Sequence, residues 1–212
     1  MLGDVLLITE KHEKAAEKIL EHVLKNKKDK YIIAISGESG SGKSELTHVL
    51  AKMLRKKGIF AKPVHIDNYY KVLPLERTEW RKNHGIANAV GLEELDWETI
   101  NKNIDDFKNN RKATMPCVDL VTEQVDTLIT DFSGIDMMII DGLYAINAPD
   151  VDLRVFIELT YHETKKAQAV RGKEPQNDYR MQVLEKEHQV VQSLKPLADL
   201  FVNIDYQVVK AK

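Results

Sequence analysis

Segments rich in apolar residues alternate along the chain with segments in which apolar residues recur every three to four positions. The apolar runs Tyr31–Ser36 and Met137–Ile140 are uninterrupted, and shorter or broken runs lie at Ile59–Ile66, Val151–Leu159 and Leu200–Ile204. A short continuous apolar run is typical of a strand buried on both faces of a parallel sheet. The pattern therefore predicts a set of buried strands.

The segments with helical spacing lie mostly between these strands. They predict helices at Thr9–Leu24, Lys43–Lys57, Glu93–Asn109, His162–Val170 and Tyr179–Leu194. A further stretch from Pro116 to Thr130, with alternating apolar residues, predicts an extended excursion. Strands and helices in alternation indicate an α/β fold with a mainly parallel sheet flanked by helices and joined by right-handed crossovers.

The first helix divides the chain into two predicted parts. Residues 1–30 form an N-terminal helical extension, which ends in the lysine-rich run Lys25–Lys30, and residues 31–212 form one domain. The length of 212 residues suits one domain with a small appendage. The helix either covers the sheet or mediates association into a homo-oligomer, and the sequence leaves both open.

Composition narrows the choice of partners and compartment. The 31 basic and 33 acidic residues give a net charge of −2, with no long basic block, which argues against nucleic acid as the main partner. We expect no membrane partner, because no apolar stretch is long enough to span a bilayer. Cys117 is the only cysteine, so no intramolecular disulfide forms. The N-terminus resembles no secretory signal, and we expect a cytoplasmic protein.

A glycine-rich motif supplies the strongest chemical signal. The sequence GESGSGKS matches the phosphate-loop pattern G-x-x-x-x-G-K-[ST] and stands between a predicted buried strand and a predicted helix. Backbone N–H groups of such a loop and the start of the following helix bind phosphate, the lysine reaches the β- and γ-phosphates, and the serine hydroxyl suits Mg²⁺. The motif therefore predicts ATP and Mg²⁺ as cofactors. The predicted nucleotide-binding residues are Gly37, Glu38, Ser39, Gly40, Ser41, Gly42, Lys43 and Ser44.

Asp67 is the candidate catalytic base. It follows the second strand, at the sheet edge where open α/β folds bind their ligands. A carboxylate there can accept the proton of a substrate hydroxyl as that hydroxyl attacks the γ-phosphate. The alternative is that Asp67 only begins a turn. Tyr70, three residues later, is a candidate substrate-binding residue, although aromatic residues are also ordinary core material.

Two further positions carry candidate chemistry. Asp141 ends the apolar strand at Met137–Ile140 and is a candidate Mg²⁺ ligand together with Ser44, its alternative being a turn residue. Arg171 is a candidate catalytic cation in a small helical lid that would bring positive charge onto the transferring phosphate. A solvated pair of charged helices explains the same cluster, whose other members are Lys165, Lys166, Lys173 and Arg180.

These residues together resemble the uridine kinase and phosphoribulokinase-like group of small-molecule kinases. The resemblance spans about Tyr31 to Ile204 and rests on GESGSGKS, the segment Asp67–Tyr70, the stretch Met115–Leu120 and the strand ending at Gly142. It implies the P-loop NTPase fold for residues 31–212 and ATP- and Mg²⁺-dependent phosphorylation of a small-molecule hydroxyl. It also implies Asp67 as the general base and Asp141 in the position of a metal-associated glutamate.

The sequence departs from that family where the acceptor is recognised. Three residues that contact the pyrimidine base in the nucleoside enzymes match Val118, Leu120 and Glu123 here. An aspartate that grips the ribose matches Val90. Most arginines of the family's lid are replaced, by Thr164, Ala167 and Gln168, which leaves Arg171. Uridine is therefore doubtful as the acceptor, and a different small alcohol is an equal candidate.

Two other classes of function compete with a kinase. One is a GTP-dependent switch, because Asn26–Asp29 and Asp131–Gly134 spell the short guanine and switch patterns, although both stand at the wrong points of the chain. The other is a nucleotide-binding protein that has lost catalysis. Removing Asp67 discriminates, because a kinase then loses transfer while keeping ATP, whereas a pure nucleotide binder changes little.

Overall fold

A six-stranded sheet forms the centre of the computed structural model, which describes residues 5–164 and 177–211. Its spatial order is β2-β5-β1-β6-β7-β8, with the first five strands parallel and β8 antiparallel. A separate antiparallel pair, β3 and β4, lies outside it. The strands are β1 (Tyr31–Gly37), β2 (Ala61–His65), β3 (Lys112–Asp119), β4 (Gln124–Asp131), β5 (Met137–Asp141), β6 (Leu153–Ile157), β7 (Leu200–Val202) and β8 (Val208–Lys210).

Helices flank the sheet on both faces. The described α-helices are α1 (Glu10–Asn26), α2 (Lys43–Lys56), α3 (Pro74–His84), α4 (Ile86–Ala89), α5 (Trp97–Lys108) and α6 (Asp178–Leu194). Short 3₁₀ helices occur at Ile66–Tyr69, Leu92–Glu94, Ala145–Asn147 and Lys195–Leu197. This arrangement confirms the predicted α/β fold with a mainly parallel sheet.

The central strand β1 explains why its sequence is uninterruptedly apolar. All seven of its residues are buried. Ile33 and Ile35 face a cluster shared with α1 and α2, whereas Ile32 and Ala34 face a second cluster shared with α5 and α6. A strand covered on both faces needs apolar side chains at every position, which removes the alternation of a half-exposed strand.

Helix α1 is part of the layer that covers one face of the sheet. It packs lengthwise against α2, and its apolar stripe is buried: Ala15, Ala16, Ile19, Leu20 and Val23. Of the two roles considered for this helix, the structure shows the packing on the sheet. The division of the chain at residue 30 and association into an oligomer stay predictions.

The predicted excursion at Pro116–Thr130 is the β3–β4 hairpin. Lys112 pairs with Asp131 at its open end and Asp119 with Gln124 at its tip. Strand β3 packs against α5, whereas nearly all of β4 is exposed to solvent. The hairpin therefore projects from the body of the domain beside the carboxyl ends of the sheet.

Several elements differ from the sequence prediction. Helix α3 and strand β8 were not predicted, because α3 has an almost entirely exposed, highly polar sequence and β8 is only three residues long. The helix expected from Glu93 begins at Trp97, since Asp96 caps it there. Of the helix expected at His162–Val170, residues 162–164 form a turn, and the remainder lies outside the described residues, as does most of the expected lid.

Candidate active site

The phosphate loop connects β1 to α2. Its backbone turns through the left-handed region at Gly40 and Gly42, where φ is +77° and +94°, and only glycine adopts such angles without strain. Helix α2 begins immediately afterwards at Lys43. The amino end of this 14-residue helix, the positive end of its dipole, therefore lies at the loop, as an anion-binding site requires.

Side chains within the loop are consistent with a cradle for phosphate. The Lys43 Nζ donates a hydrogen bond to the Glu38 carbonyl oxygen at 2.8 Å, so the ammonium group lies across the loop. Ser41 is buried, and its Oγ has no hydrogen-bond partner among the described residues. Ser44 is partly exposed in the first turn of α2, which is where a hydroxyl ligand to Mg²⁺ belongs.

Glu38 has a structural role that the motif did not reveal. Only about 2 % of the surface of Glu38 is exposed, and its side chain is directed at α6. There its Oε1 accepts hydrogen bonds from His188 Nδ1 and Gln192 Nε2, both at 2.7 Å. Its Oε2 accepts from the backbone N–H of Tyr161 at 2.7 Å. Thr164 adds a bond from its Oγ1 to the Ser39 carbonyl oxygen. Glu38 can therefore offer a phosphate only its backbone.

Residues from α1 and from the turn between β7 and β8 pack against the outer side of the loop. Tyr206, in the turn between β7 and β8, donates from its hydroxyl to the Ser41 carbonyl oxygen. His12 of α1 packs edge-on against the Tyr206 ring, and its Nε2 would lie 2.7 Å from a Cβ on Gly42. Gly42 therefore serves two purposes, because its backbone is left-handed and its neighbours leave no space for a side chain.

The strand register brings the predicted acidic residues to the same edge. Ile35 of β1, Asp141 of β5 and His65 of β2 are directly paired, so β2 and β5 end at the same level, while β1 continues to Gly37, where the phosphate loop begins. Asp67 follows in the 3₁₀ helix after β2 and is partly exposed. A Cβ on Gly142 would lie 3.5 Å from Asp67 Oδ1, which places the Asp67 carboxylate beside the residue that follows Asp141.

Asp141 is almost completely buried and is paired with His65. The distance from His65 Nδ1 to Asp141 Oδ1 is 2.5 Å. Burial lowers the pKa of the imidazole, but the charge of Asp141 and its hydrogen bond together act more strongly, so the pKa of His65 is raised above its ordinary value. His65 carried no signal in the sequence beyond its place at the end of a strand.

The environment of the second carboxylate oxygen of Asp141 indicates whether a metal ion fits here. Its Oδ2 is buried and has no hydrogen-bond partner in the described part of the chain. A buried polar atom without a partner is rare and indicates a missing water, ion or ligand. Mg²⁺ prefers oxygen ligands and is often held by one or two protein groups plus phosphates, so Asp141 and Ser44 fit such an ion.

Tyr70 directly follows the 3₁₀ helix that carries Asp67. Its ring is covered by the Arg77 guanidinium of α3, whose central carbon is 3.6 Å from the ring centroid. Burial, followed by the nearby charge of Asp67, raises the pKa of the Tyr70 hydroxyl well above its ordinary value. Tyr70 also forms an isolated bridge with Leu95. It is therefore a fixed aromatic surface close to Asp67.

A buried ionic cluster supports this side of the site. Arg81 donates to both oxygens of Glu94, at 2.6 and 3.0 Å, and lies 3.5 Å from Glu187. Arg180, which the sequence grouped with the lid, lies on α6 and contacts Glu187 at 3.3 Å. The cluster joins α3, the 3₁₀ helix before α5, and α6. The members of this cluster are far apart in the sequence, so sequence patterns did not predict it.

The positions at which the sequence departs from the nucleoside enzymes also have defined places. Val118 is buried in β3, and its backbone N–H donates to the Asn68 side chain next to Asp67. Val90 is buried as well, so neither offers a polar group to an acceptor. Four predicted lid residues lie outside the described residues, and their roles stay predictions: Arg171, Lys165, Lys166 and Lys173.

The two short guanine-type motifs lie at the opposite edge of the sheet. Asn26–Asp29 precedes the amino end of β1, and Lys28 within it pairs with Asp152. Asp131–Gly134 precedes the amino end of β5. Neither motif lies at the carboxyl edge that carries the phosphate loop, so neither can contact a base or phosphate bound there.

The fold and the arrangement of this edge define the class of P-loop small-molecule kinases. The chain belongs to the Phosphoribulokinase / Uridine kinase family, whose model matches residues 32–162. A protein described as uridine kinase from Ureaplasma parvum serovar 3 is 28 % identical over 139 residues, which cover 63 % of this chain and 64 % of the relative. A uridine kinase from Staphylococcus aureus strain JH9 is 27 % identical over 192 residues, covering 81 % and 86 %.

A solved structure supports the same fold. It is described as "a Possible Uridine Kinase from Bacillus stearothermophilus", has a TM-score of 0.66 and 20 % sequence identity, and matches 88 % of this chain and 96 % of its own. At this identity the likeness concerns the fold alone. In the ranges 5–164 and 177–211, no helix has the length and apolar character needed to cross a membrane.

Proposed function

We propose that the protein is an ATP- and Mg²⁺-dependent phosphotransferase that moves the γ-phosphate of ATP to a hydroxyl of a small molecule. The observation that supports this proposal is the register of β2, β5 and β1, whose carboxyl ends bring Asp67, Asp141 and the phosphate loop to one edge. The curated relatives described as uridine kinases add support for a nucleoside or another small alcohol as the acceptor.

In this reaction the acceptor oxygen attacks the γ-phosphorus, and the bond between that phosphorus and the β–γ bridging oxygen breaks. Asp67 accepts the proton that the attacking hydroxyl loses, and ADP leaves with the bridging oxygen. Lys43 and the amino end of α2 offset the negative charge of the phosphates. Asp141 and Ser44 would hold Mg²⁺, which supplies further charge neutralisation on the phosphate oxygens.

The partly exposed position of Asp67 suits a catalytic base, because the base must contact the hydroxyl of the substrate to accept its proton. The buried Asp141, paired with His65 and directed inward, suits a fixed ligand instead. The two carboxylates thus have different environments and, in this proposal, different roles.

ADP formation from ATP and Mg²⁺ tests the proposal across a panel of nucleosides, ribosyl compounds, sugars and hydroxy acids. We expect acceptor-dependent ADP formation that Lys43→Ala abolishes. We expect Asp67→Asn to lower kcat by about 10²- to 10⁴-fold while ATP binding is retained, since Asp67 is not in the loop. Asp126→Asn, an exposed site on β4, is the matched control and keeps full activity.

Two outcomes would contradict the proposal. Full activity in Asp67→Asn would remove Asp67 as the base. An absence of stimulation by every acceptor, with ATP still bound in a Lys43-dependent manner, would favour a nucleotide-binding regulator that does not phosphorylate a small molecule.

A further inference from the structure

Buried polar atoms without partners gather on the acceptor side of the site. Arg77 Nε is buried and has no hydrogen-bond partner among the described residues, and the only contact of its Nη2 is a long one, 3.5 Å, to the Val72 carbonyl oxygen. Tyr144 is fully buried, and its hydroxyl likewise has no partner in the described ranges. Native structures rarely leave such groups unsatisfied, so each indicates a missing water, ion or ligand.

Arg77 and the Tyr144 hydroxyl lie in one region of the molecule, around Tyr70. Arg77 covers the ring of Tyr70, three residues after Asp67. Burial, and then the charge of Tyr70, raises the pKa of Tyr144, so the two phenols are electrostatic neighbours. Gly142, two residues before Tyr144, lies beside the Asp67 carboxylate. Both unsatisfied donors are therefore neighbours of Tyr70, in the same region of the molecule as Asp67.

The arginines of this region differ in their ion pairs within the described ranges. Two guanidinium groups, of Arg81 and Arg180, face two carboxylates, of Glu94 and Glu187, and these four pair with one another. No carboxylate of the described chain lies within ion-pair distance of Arg77. A guanidinium with unused donors that lies over an aromatic ring is suited to a carboxylate or phosphate group.

We propose that Arg77, supported by Tyr70, is the residue that selects the acceptor, and that the acceptor is a small alcohol carrying a carboxylate or phosphate group. This inference rests on the proposed kinase function and narrows its substrate class. A neutral nucleoside offers no anion to Arg77. The apolar residues at Val90 and Val118, in place of nucleoside-contacting groups, agree with a different acceptor.

Matched acceptor pairs test the proposal in steady-state kinetics: glycerol against D-glycerate and glycerol 3-phosphate, and ribose against ribose 5-phosphate, with uridine as a neutral reference. We expect the wild-type protein to use an anionic member with a KM at least about tenfold below that of its neutral partner. The anionic acceptor with the lowest KM identifies whether the natural acceptor carries a carboxylate or a phosphate.

Arg77→Gln should raise the KM for the anionic acceptor by about ten- to hundredfold, with kcat and the KM for ATP nearly unchanged, because the contact is equally strong in the ground and transition states. Arg77→Lys keeps the positive charge and should recover part of the affinity. Lys82→Gln, on the same helix and solvent-exposed, is the matched control and should change neither constant. Thermal unfolding of each variant checks that it is folded.

The outcomes separate this inference from the proposed function. Turnover of neutral alcohols, with Arg77→Gln affecting neutral and anionic acceptors equally, would overturn the role of Arg77 and leave the kinase intact. If no acceptor is phosphorylated, the kinase proposal fails, and calorimetric titration of D-glycerate and ribose 5-phosphate into the ADP-bound protein still decides the inference. Binding that disappears in Arg77→Gln supports the anion site, and no binding of either anion overturns it.

Discussion

At the scale of single residues, the carboxylates of this protein differ in the hydrogen-bond and ion-pair partners of their oxygens. Glu38 accepts three hydrogen bonds, Glu94 and Glu187 face guanidinium groups, and Asp141 has one oxygen paired and one unpaired. Burial of a charged group is costly unless partners compensate it. The second oxygen of Asp141 would gain such a partner from the Mg²⁺ ion that we propose for this site.

Asp96 provides a residue-scale prediction on pH. Its Oδ1 accepts from the Thr99 backbone N–H at 3.0 Å and its Oδ2 from the Thr99 hydroxyl at 2.6 Å, which caps α5. The bond to the Thr99 side chain is the main cause that lowers the pKa of Asp96 below its ordinary value of 3.8. We expect Asp96→Ala to lower the free energy of unfolding by about 1 kcal/mol at neutral pH.

The pH dependence follows from the direction of that shift. A carboxylate whose pKa is lower in the folded state contributes stability above its unfolded pKa, and this contribution disappears as the pH falls through the folded value. The difference between wild type and Asp96→Ala, measured by urea unfolding, should therefore shrink as the pH falls below about 4. A difference that stays constant or grows in acid would contradict the role of the charged cap.

Single residues also show where sequence reasoning succeeded. Asp67, Asp141 and the loop residues up to Ser44 could be placed together because a strand end and a glycine-rich turn fix backbone position locally. His65, Arg77 and Glu38 could not be assigned, since their importance depends on partners that the chain brings close only through the fold. The roles given to Lys43, Asp67, Tyr70 and Asp141 stay predictions.

At the scale of elements, the phosphate loop is joined to several neighbours at once. Glu38 links it to α6 and to Tyr161, Thr164 bonds to Ser39, and Tyr206 bonds to Ser41. A loop that binds anions must hold its N–H groups in place before the ligand arrives, because ordering them on binding would cost affinity. These bonds provide that preorganisation.

Glu38→Ala tests the link between the loop and α6. We expect it to lower the free energy of unfolding by about 2 to 3 kcal/mol, because His188, Gln192 and the Tyr161 N–H lose a buried charged acceptor. Glu93→Ala, an exposed glutamate, is the matched control and should change stability by less than about 0.5 kcal/mol. Chemical denaturation of both variants gives the comparison, and equal effects would show that the Glu38 contacts contribute nothing.

Elements buried on both faces were the most predictable part of the fold. Strands β1 and β5 are apolar except at their carboxyl ends, because helices cover them on either side, so a few consecutive residues are enough to predict each strand. Helix α3 was missed because it exposes most of its surface and packs mainly through Arg81, which a hydrophobic pattern does not register. The order of strands in the sheet could not be derived from local patterns at all.

At the scale of the whole molecule, nucleotide binding should stabilise the fold. The phosphate loop contacts α6 and the turn after β7, and it lies between β1 and α2, so a ligand in the loop binds only the folded chain. A ligand at 100 times its Kd adds about 2.7 kcal/mol to the free energy of unfolding. We therefore expect ATP with Mg²⁺ to raise Tm in a concentration-dependent manner.

Lys43→Ala should remove most of this stabilisation, whereas Lys52→Ala, an exposed lysine farther along α2, should retain it. Thermal unfolding with increasing ATP and Mg²⁺ measures both variants. An equal rise of Tm in the Lys43 variant would show that the nucleotide binds elsewhere on the molecule.

The position of β5 between β1 and β2 has a consequence for synthesis of the chain. Tyr31 pairs with Met137 and Ile33 with Leu153, so the central strand has no sheet partner until more than half of the chain exists. Before that point the ribosome presents β1 and β2, which are not neighbours in the sheet and so do not pair with each other. The apolar strand β1 is therefore exposed to aggregation during synthesis, and the hydrogen bond that holds Ser41 of the phosphate loop forms only after Tyr206 has emerged.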